Sequence, residues 1–226
     1  MSISANLAKV RERIQACCAQ YNRDPEDVTL IAVSKTKPFE TIQAALLAGQ
    51  VDFGENYAQE LRDKQALRGE NHPQLRWHYM GRIQSNKAKY IAPNAYRIHT
   101  LESPAQAQAL CKRAPHGIQA LIAVNIGREA QKGGVPPEQV LPTVQAISKL
   151  DGVQVHGLMC IPPAHPDPAF SAPFFEEMAY LAAQGRKEGL HLHELSMGMS
   201  SDFEVAIRYG ATWIRVGTAI FGARAR

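Results

Sequence analysis

Eight short apolar runs, each followed by a stretch of helical period, constrain this chain more than any other feature. They are Thr29–Ser34 (TLIAVS), Val51–Gly54, Leu75–Met80, Ala95–His99, Ile118–Ile126, Val153–Ile161, His191–Met197 and Thr212–Val216. Several are nearly continuous in Val, Ile and Leu, the pattern of strands covered on both faces. Between them, Val140, Val144 and Ile147 fall at i, i+4 and i+7, as do Phe174, Met178 and Leu181. Pro136 and Pro137 open one helical segment, and Gly49 closes another. Strand and helix in alternation imply a parallel sheet. Eight parallel strands in a chain of 226 residues predict an α/β fold, a single (β/α)₈ TIM barrel spanning 1–226. The stripe Ile3, Leu7, Val10, Ile14 and Cys17 predicts an extra N-terminal helix before the first strand. An open, doubly wound sheet is the rival architecture. Against it, the first strand runs into Ser34-Lys35-Thr36-Lys37-Pro38 rather than a G-x-G-x-x-G turn.

Composition narrows the function classes. No apolar run reaches the roughly 18–20 residues of a membrane helix, and the N-terminus lacks the apolar stretch of a secretory signal. Cys17, Cys18, Cys111 and Cys160 form neither a disulfide framework nor a C-x-x-C pair, so reduced thiols and a cytoplasmic location are expected. The net charge of +4 is scattered, with Arg224 and Arg226 the only hint of a basic tail. Neither a nucleic-acid nor a membrane partner is expected. His191 and His193 alternate on one strand but have no third ligand nearby, which predicts a hydrogen-bonded structural pair and no metal.

Barrels place their chemistry at the C-terminal ends of the strands. Read in order, those positions offer Lys35, Glu55, Asn56, His78, Asn125, the segment Ser196–Asp202 and the segment Arg215–Thr218. Lys35 is the sharpest. A lysine rooted inside a barrel tends toward the neutral amine, the form that attacks a carbonyl, and Lys37 nearby adds like-charge repulsion. Ser200 or Ser201 is expected to cap a helix with Asp202 and Glu204 in its first turn. With Gly217, Thr218 and Gly222 after the last strand, that makes two loops where barrels commonly hold phosphate. Arg215 lies within an apolar strand and needs a partner, either a core carboxylate such as Glu194 or a ligand.

The stretches Ala32–Pro38 (AVSKTKP), Phe53–Tyr57 (FGENY), Trp77–Lys87, Val124–Gly134, Gly157–Pro163, Leu195–Ile207 and Arg215–Arg224 together resemble the pyridoxal phosphate homeostasis proteins, the YggS/PROSC family, from end to end. Gly127 and Arg82 depart from or vary within that pattern without touching a cofactor contact. The resemblance implies a barrel similar to the N-terminal domain of alanine racemase, with pyridoxal 5′-phosphate as a Schiff base on Lys35. It also implies that Asn56 lies close to the cofactor ring and that Arg215 faces the pyridine nitrogen. Met199, Ser200, Gly217 and Thr218 would hold the phosphate. The implied role is intracellular vitamin B6 homeostasis, buffering the cofactor or delivering it to apo-enzymes, by a monomer or weak dimer with no catalytic residue.

The rival reading is a pyridoxal phosphate-dependent amino-acid racemase. That chemistry needs proton donors on both faces of the substrate carbon. In alanine racemases the second base is a tyrosine contributed together with a C-terminal β domain, which is not expected here. An arginine at the ring nitrogen would also leave it unprotonated and weaken the ring as an electron sink.

Overall fold

A computed structural model describes residues 2–68, 70 and 72–222, so Arg224 and Arg226 lie outside the described residues. In chain order the elements are α1 (Ile3–Gln20), β1 (Thr29–Val33), α2 (Phe39–Leu47), β2 (Asp52–Glu55), α3 (Ala58–Arg68) and β3 (Arg76–Tyr79). There follow α4 (Ala88–Ile91), β4 (Arg97–Leu101), α5 (Pro104–Cys111), β5 (Ile118–Val124), α6 (Val140–Ser148) and β6 (Val153–Cys160). The last are α7 (Ala172–Lys187), β7 (Glu194–Ser196), α8 (Phe203–Arg208), β8 (Trp213–Val216) and α9 (Thr218–Phe221). The strands are parallel and close into a barrel in sequence order, β8 pairing with β1 through Leu30↔Ile214 and Ile31↔Arg215. Closure excludes the open doubly wound sheet, which would leave two unpaired edges.

The extra helix forms as its stripe requires. Leu7, Val10, Ile14 and Cys17 are buried, joined by Cys18, and Ser2 caps the helix by accepting the Ala5 N–H. It packs on α2, α8 and α9 and so covers the β8–β1 seam. Gly49, in the left-handed region at φ +78°, ends α2; its N–H reaches Leu46 O and the next N–H reaches Ala45 O. The two prolines lead into α6 through a 3₁₀ turn, Pro137–Gln139. All four cysteines are free. The seventh strand is shorter than its sequence suggests. His191 and His193 precede it, exposed, with ring centroids 6.4 Å apart, so they do not pair on a strand face. Among the described residues no group of three or more His, Cys, Asp or Glu could hold a metal ion.

Strand alternation divides the core in two. Leu30, Ala32, Phe53, Trp77, Ile98, Ile122, Leu158, Leu195 and Ile214 belong to the large apolar cluster that meets the helices. The alternate positions include a small cluster of Ile31, Met80, Leu121, Ala123, Met159 and Trp213. Beside it lie buried polar groups: Asp52, His78, Arg97, His99, Ser196 and Arg215. Barrel interiors are usually filled with branched apolar side chains, so this polarity has to be satisfied locally. Arg97 pairs with Glu194 and donates to Gln119 Oε1 (2.8 Å), while Trp213 Nε1 donates to Glu194 Oε2 (2.9 Å). Glu194 is therefore the partner of Arg97 and not of Arg215, correcting that expectation.

Gly157 marks where β6 and β7 crowd together. A Cβ there would lie 1.8 Å from the Glu194 carbonyl oxygen, a backbone atom that cannot swing aside. Gly157→Ala should destabilise the barrel by about 1–3 kcal/mol, lowering the melting temperature by several degrees; an unchanged melt would mean that the two strands part freely.

Candidate functional site

Lys35, Asn56, Met199, Ser200, Arg215, Gly217 and Thr218 line one cavity of about 460 Å³ at the C-terminal mouth of the barrel. Met80, Met159 and Ile161 give it an apolar wall. Both the size and the mixture of apolar surface with a few polar groups suit a small organic ligand.

Lys35 sits in a tightly held turn. Strand β1 ends at Val33, and Lys37 N–H closes the turn on Ser34 O (3.0 Å). Thr36 adopts φ +63°, an uncommon conformation for a β-branched residue that costs about 1–3 kcal/mol. What holds it is a buried cluster behind the turn. Lys64 Nζ donates to Ser34 O (2.8 Å), Glu55 Oε1 (2.7 Å) and Glu60 Oε1 (2.7 Å). Ser34 Oγ donates to Glu55 Oε1 (2.6 Å), and Thr36 N–H donates to Glu60 Oε1 (2.7 Å). The residues on both sides of Lys35 are thus pinned, while its side chain lines the cavity. Glu55, expected at the mouth, is instead part of this anchor. Burial pushes its carboxyl up to about 7, against the pull of Lys64 and the Ser34 hydroxyl. The Lys37 ammonium is held by the carbonyl of Phe221 (3.0 Å), tying the same turn to α9.

Arg215 rises from β8 and is 5% exposed, yet it lines the cavity. Its Nη1 donates to Ser196 Oγ and its Nη2 to Cys160 O, both at 2.8 Å. Burial lowers its pKa, but a guanidinium starts so high that it stays charged. The cavity is therefore faced by a fixed cation.

The loops after β7 and β8 supply the remaining wall. The N-cap position of helix α8 is Asp202, not Ser200 or Ser201 as the sequence suggested, and its side chain makes no hydrogen bond into the helix. Asp202 Oδ1 accepts Met199 N–H (2.7 Å) and Oδ2 accepts the Ser171 hydroxyl (2.9 Å), which locks the loop and leaves both serines on the cavity. Gly217 lies against the end of β1, where a Cβ would come within 3.3 Å of Val33 O. Asn56 is placed by a similar close approach, since a Cβ on Gly81 would overlap the Asn56 carbonyl at 1.8 Å.

Two further expected mouth residues are elsewhere. His78 is fully buried in the barrel interior, bonded to Asp52 and His99. Asn125 lines a neighbouring cavity, and its side chain staples the following loop by donating to Glu129 O (3.0 Å) and accepting Glu129 N–H (3.1 Å). The sequence reading missed Lys64 altogether. Its one signal was a lysine at the buried face of α3, alongside Ala58 and Leu61.

These buried groups set a pH profile for stability. Burial pushes the His78 and His99 imidazoles below the ordinary histidine range, His99 the further. A base that resists protonation when folded contributes fully above its unfolded pKa of about 6.5 and loses that contribution as pH falls. Glu55 has the opposite sign: its contribution is full below the unfolded carboxyl pKa and is lost as pH rises through about 7. Each group is worth up to about 1.4 kcal/mol per pH unit, so two histidines outweigh one carboxyl. Urea unfolding should give a free energy that declines from pH 6.5 to 5. A rise over that interval would mean that the imidazoles are charged in the folded chain.

A family model described as the N-terminal domain of alanine racemase matches residues 5–225. The chain is 41% identical over 226 residues to the pyridoxal phosphate homeostasis protein of Pseudomonas aeruginosa, covering 99% of this chain and 96% of that one. PipY of Synechococcus elongatus, solved with PLP bound, superposes with a TM-score of 0.85 at 36% identity, over 98% of this chain and 100% of that one. Alanine racemase from Corynebacterium glutamicum shares the fold at a TM-score of 0.73 and 17% identity, and the match spans 61% of its length. Identity at this level along nearly the whole chain, on a barrel of the alanine racemase N-terminal type, means that the chain belongs to the family of pyridoxal phosphate homeostasis proteins.

Proposed function

We propose that this chain, as a single barrel domain over residues 1–226, binds pyridoxal 5′-phosphate covalently through the Lys35 amine and serves vitamin B6 homeostasis by buffering the cofactor or delivering it to apo-enzymes. The observation that supports this best is the convergence of Lys35, Arg215 and the loops after β7 and β8 on one cavity with an apolar wall. The donor set fits the cofactor's chemistry. Bound there, the cofactor supplies an aldehyde carbon for the Lys35 amine, an aromatic ring and a phosphate. Ser200 and Thr218 present hydroxyls and Gly217 a bare backbone to the phosphate, with Met199 beside Ser200. Asn56 lies by the ring, and Arg215 faces the pyridine nitrogen. The relatives' names support the homeostasis role, and four free cysteines support a cytoplasmic setting.

A carrier is favoured over a racemase by the same cavity. Racemisation needs two positioned acid–base groups. Among the described lining residues the basic groups are Lys35 and Arg215; the others are hydroxyls, one amide and apolar side chains. A cation at the ring nitrogen also holds that nitrogen unprotonated, which limits carbanion stabilisation.

Borohydride reduction of the loaded protein, followed by peptide mapping, should find the pyridoxyl group on the peptide containing Lys35. Label on Lys37 or Lys132 with Lys35 bare would refute the assignment. Loaded protein mixed with an apo-aminotransferase should restore its activity at a rate that changes with Lys35→Ala and Ser200→Ala. With a panel of L-amino acids in deuterium oxide, it should exchange α-protons no faster than free pyridoxal phosphate does. Positioned acid–base catalysis is worth about 10²–10⁴-fold per group, so rapid exchange abolished by Lys35→Ala would establish the racemase instead.

A further inference from the structure

Arg215 is one end of a hydrogen-bonded chain that crosses the barrel interior. Its Nη1 meets Ser196 Oγ at 2.8 Å, and Ser196 Oγ meets His99 Nδ1 at 2.8 Å. His99 Nε2 meets His78 Nδ1 at 2.9 Å, and His78 Nε2 meets Asp52 Oδ1 at 2.8 Å. Arg76, at the start of β3, closes the far end by donating to Asp52 Oδ2 (2.6 Å). The members come from β8, β7, β4, β3 and β2, and each of the five from Arg215 to Asp52 is 5% exposed or less.

The two ends dictate where every proton sits. A guanidinium can only donate, so Ser196 Oγ accepts from Arg215 and its own proton must go to His99 Nδ1. His99 then carries its proton on Nε2 and donates to His78 Nδ1. His78 in turn carries its proton on Nε2 and donates to Asp52, a carboxylate that can only accept. Reversing the order would set the His78 Nε2 lone pair against the Asp52 carboxylate in a buried site, and would leave the Ser196 proton without an acceptor. A second proton on either ring would add a cation near Arg76, Arg97 and Arg215, with only Asp52 and the already paired Glu194 among the described residues to oppose it.

We propose that Ser196, His99, His78 and Asp52 are positioning residues for Arg215: a proton-ordered chain of two neutral Nε2–H imidazoles that fixes the guanidinium as a donor toward the cavity and so holds a bound pyridine nitrogen unprotonated. The last clause rests on the pyridoxal phosphate reading of the cavity; the proton order does not. Ser196 is the link that transmits the order, because among the described residues its hydroxyl is the single group bonded to both Arg215 and an imidazole.

Nitrogen-15 spectra of histidine-labelled full-length protein, with and without pyridoxal phosphate, read the order directly. His78 and His99 should both appear as neutral Nε2–H tautomers from pH 6 to 8. A charged ring, or an Nδ1–H tautomer at either residue, overturns the proposal whatever the cavity binds. In loaded protein, Ser196→Ala should move the midpoint of the cofactor's absorbance titration by about one pH unit, and Ser196→Thr, which keeps the hydroxyl, should restore it. Gly117→Ala, strained at φ +76° in the turn before β5 and packed against Gly152, should leave the midpoint in place. If Ser196→Ala does not fold, the tautomers of the unsubstituted protein still decide. A folded, loaded Ser196→Ala with an unmoved midpoint overturns the positioning role. Failure of pyridoxal phosphate to attach at Lys35 would instead remove the cofactor reading and leave the tautomer result standing.

Discussion

The interior of this barrel is organised by the need to satisfy a buried arginine. Arg215 lies within β8, and a charge taken out of water there costs several kcal/mol unless its N–H groups find acceptors. One acceptor is the backbone of β6, at Cys160. The other, Ser196, has its own proton to place, which brings in His99, then His78, then Asp52. Arg97, Glu194, Gln119 and Trp213 form a second, separately neutral group alongside. Both sets of bonds link side chains from different strands, so the polar interior also ties the strands to one another.

The opposite face of the same strands handles the other cation. Lys35 stands on a rigid base, and the anchor that provides it faces the helices instead of the lumen. Glu55 points outward from β2 to Lys64 of α3, which reaches back to the Ser34 carbonyl. The strained Thr36 is tolerated because Glu60 captures its N–H. Lysine and arginine therefore reach one cavity from two electrostatic frameworks separated by the barrel wall.

This division suits a protein that binds pyridoxal phosphate. The Lys35 turn and the loops after β7 and β8 end at the cavity, and the cavity opens at the mouth of the barrel. The fixed guanidinium on the lumen side limits the chemistry available to whatever ring sits against it.

Much of this was legible in the sequence, for identifiable reasons. The number and order of strands showed because the outward faces must be apolar to meet the helices, and runs such as TLIAVS record that requirement. The seven residues assigned to the site converge because a parallel barrel gathers its strand ends at one mouth. The interior was not legible: His78, His99 and Ser196 are scattered along the chain at separations that no local pattern can register. The same holds for the partner of Arg215, for which the sequence offered a core carboxylate such as Glu194 or a ligand, and for the anchor at Lys64. Asp202 stands at the N-cap position expected of Ser200 or Ser201, with its carboxylate turned to Met199 and the distant Ser171 instead of into the helix. Sequence by itself determined the strand count, the mouth and the placing of Lys35 at that mouth, since each depends on local period and strand order. Only the tertiary structure decided which polar group faces which, because hydrogen bonds across a barrel depend on inter-strand register, and register is settled when the barrel closes.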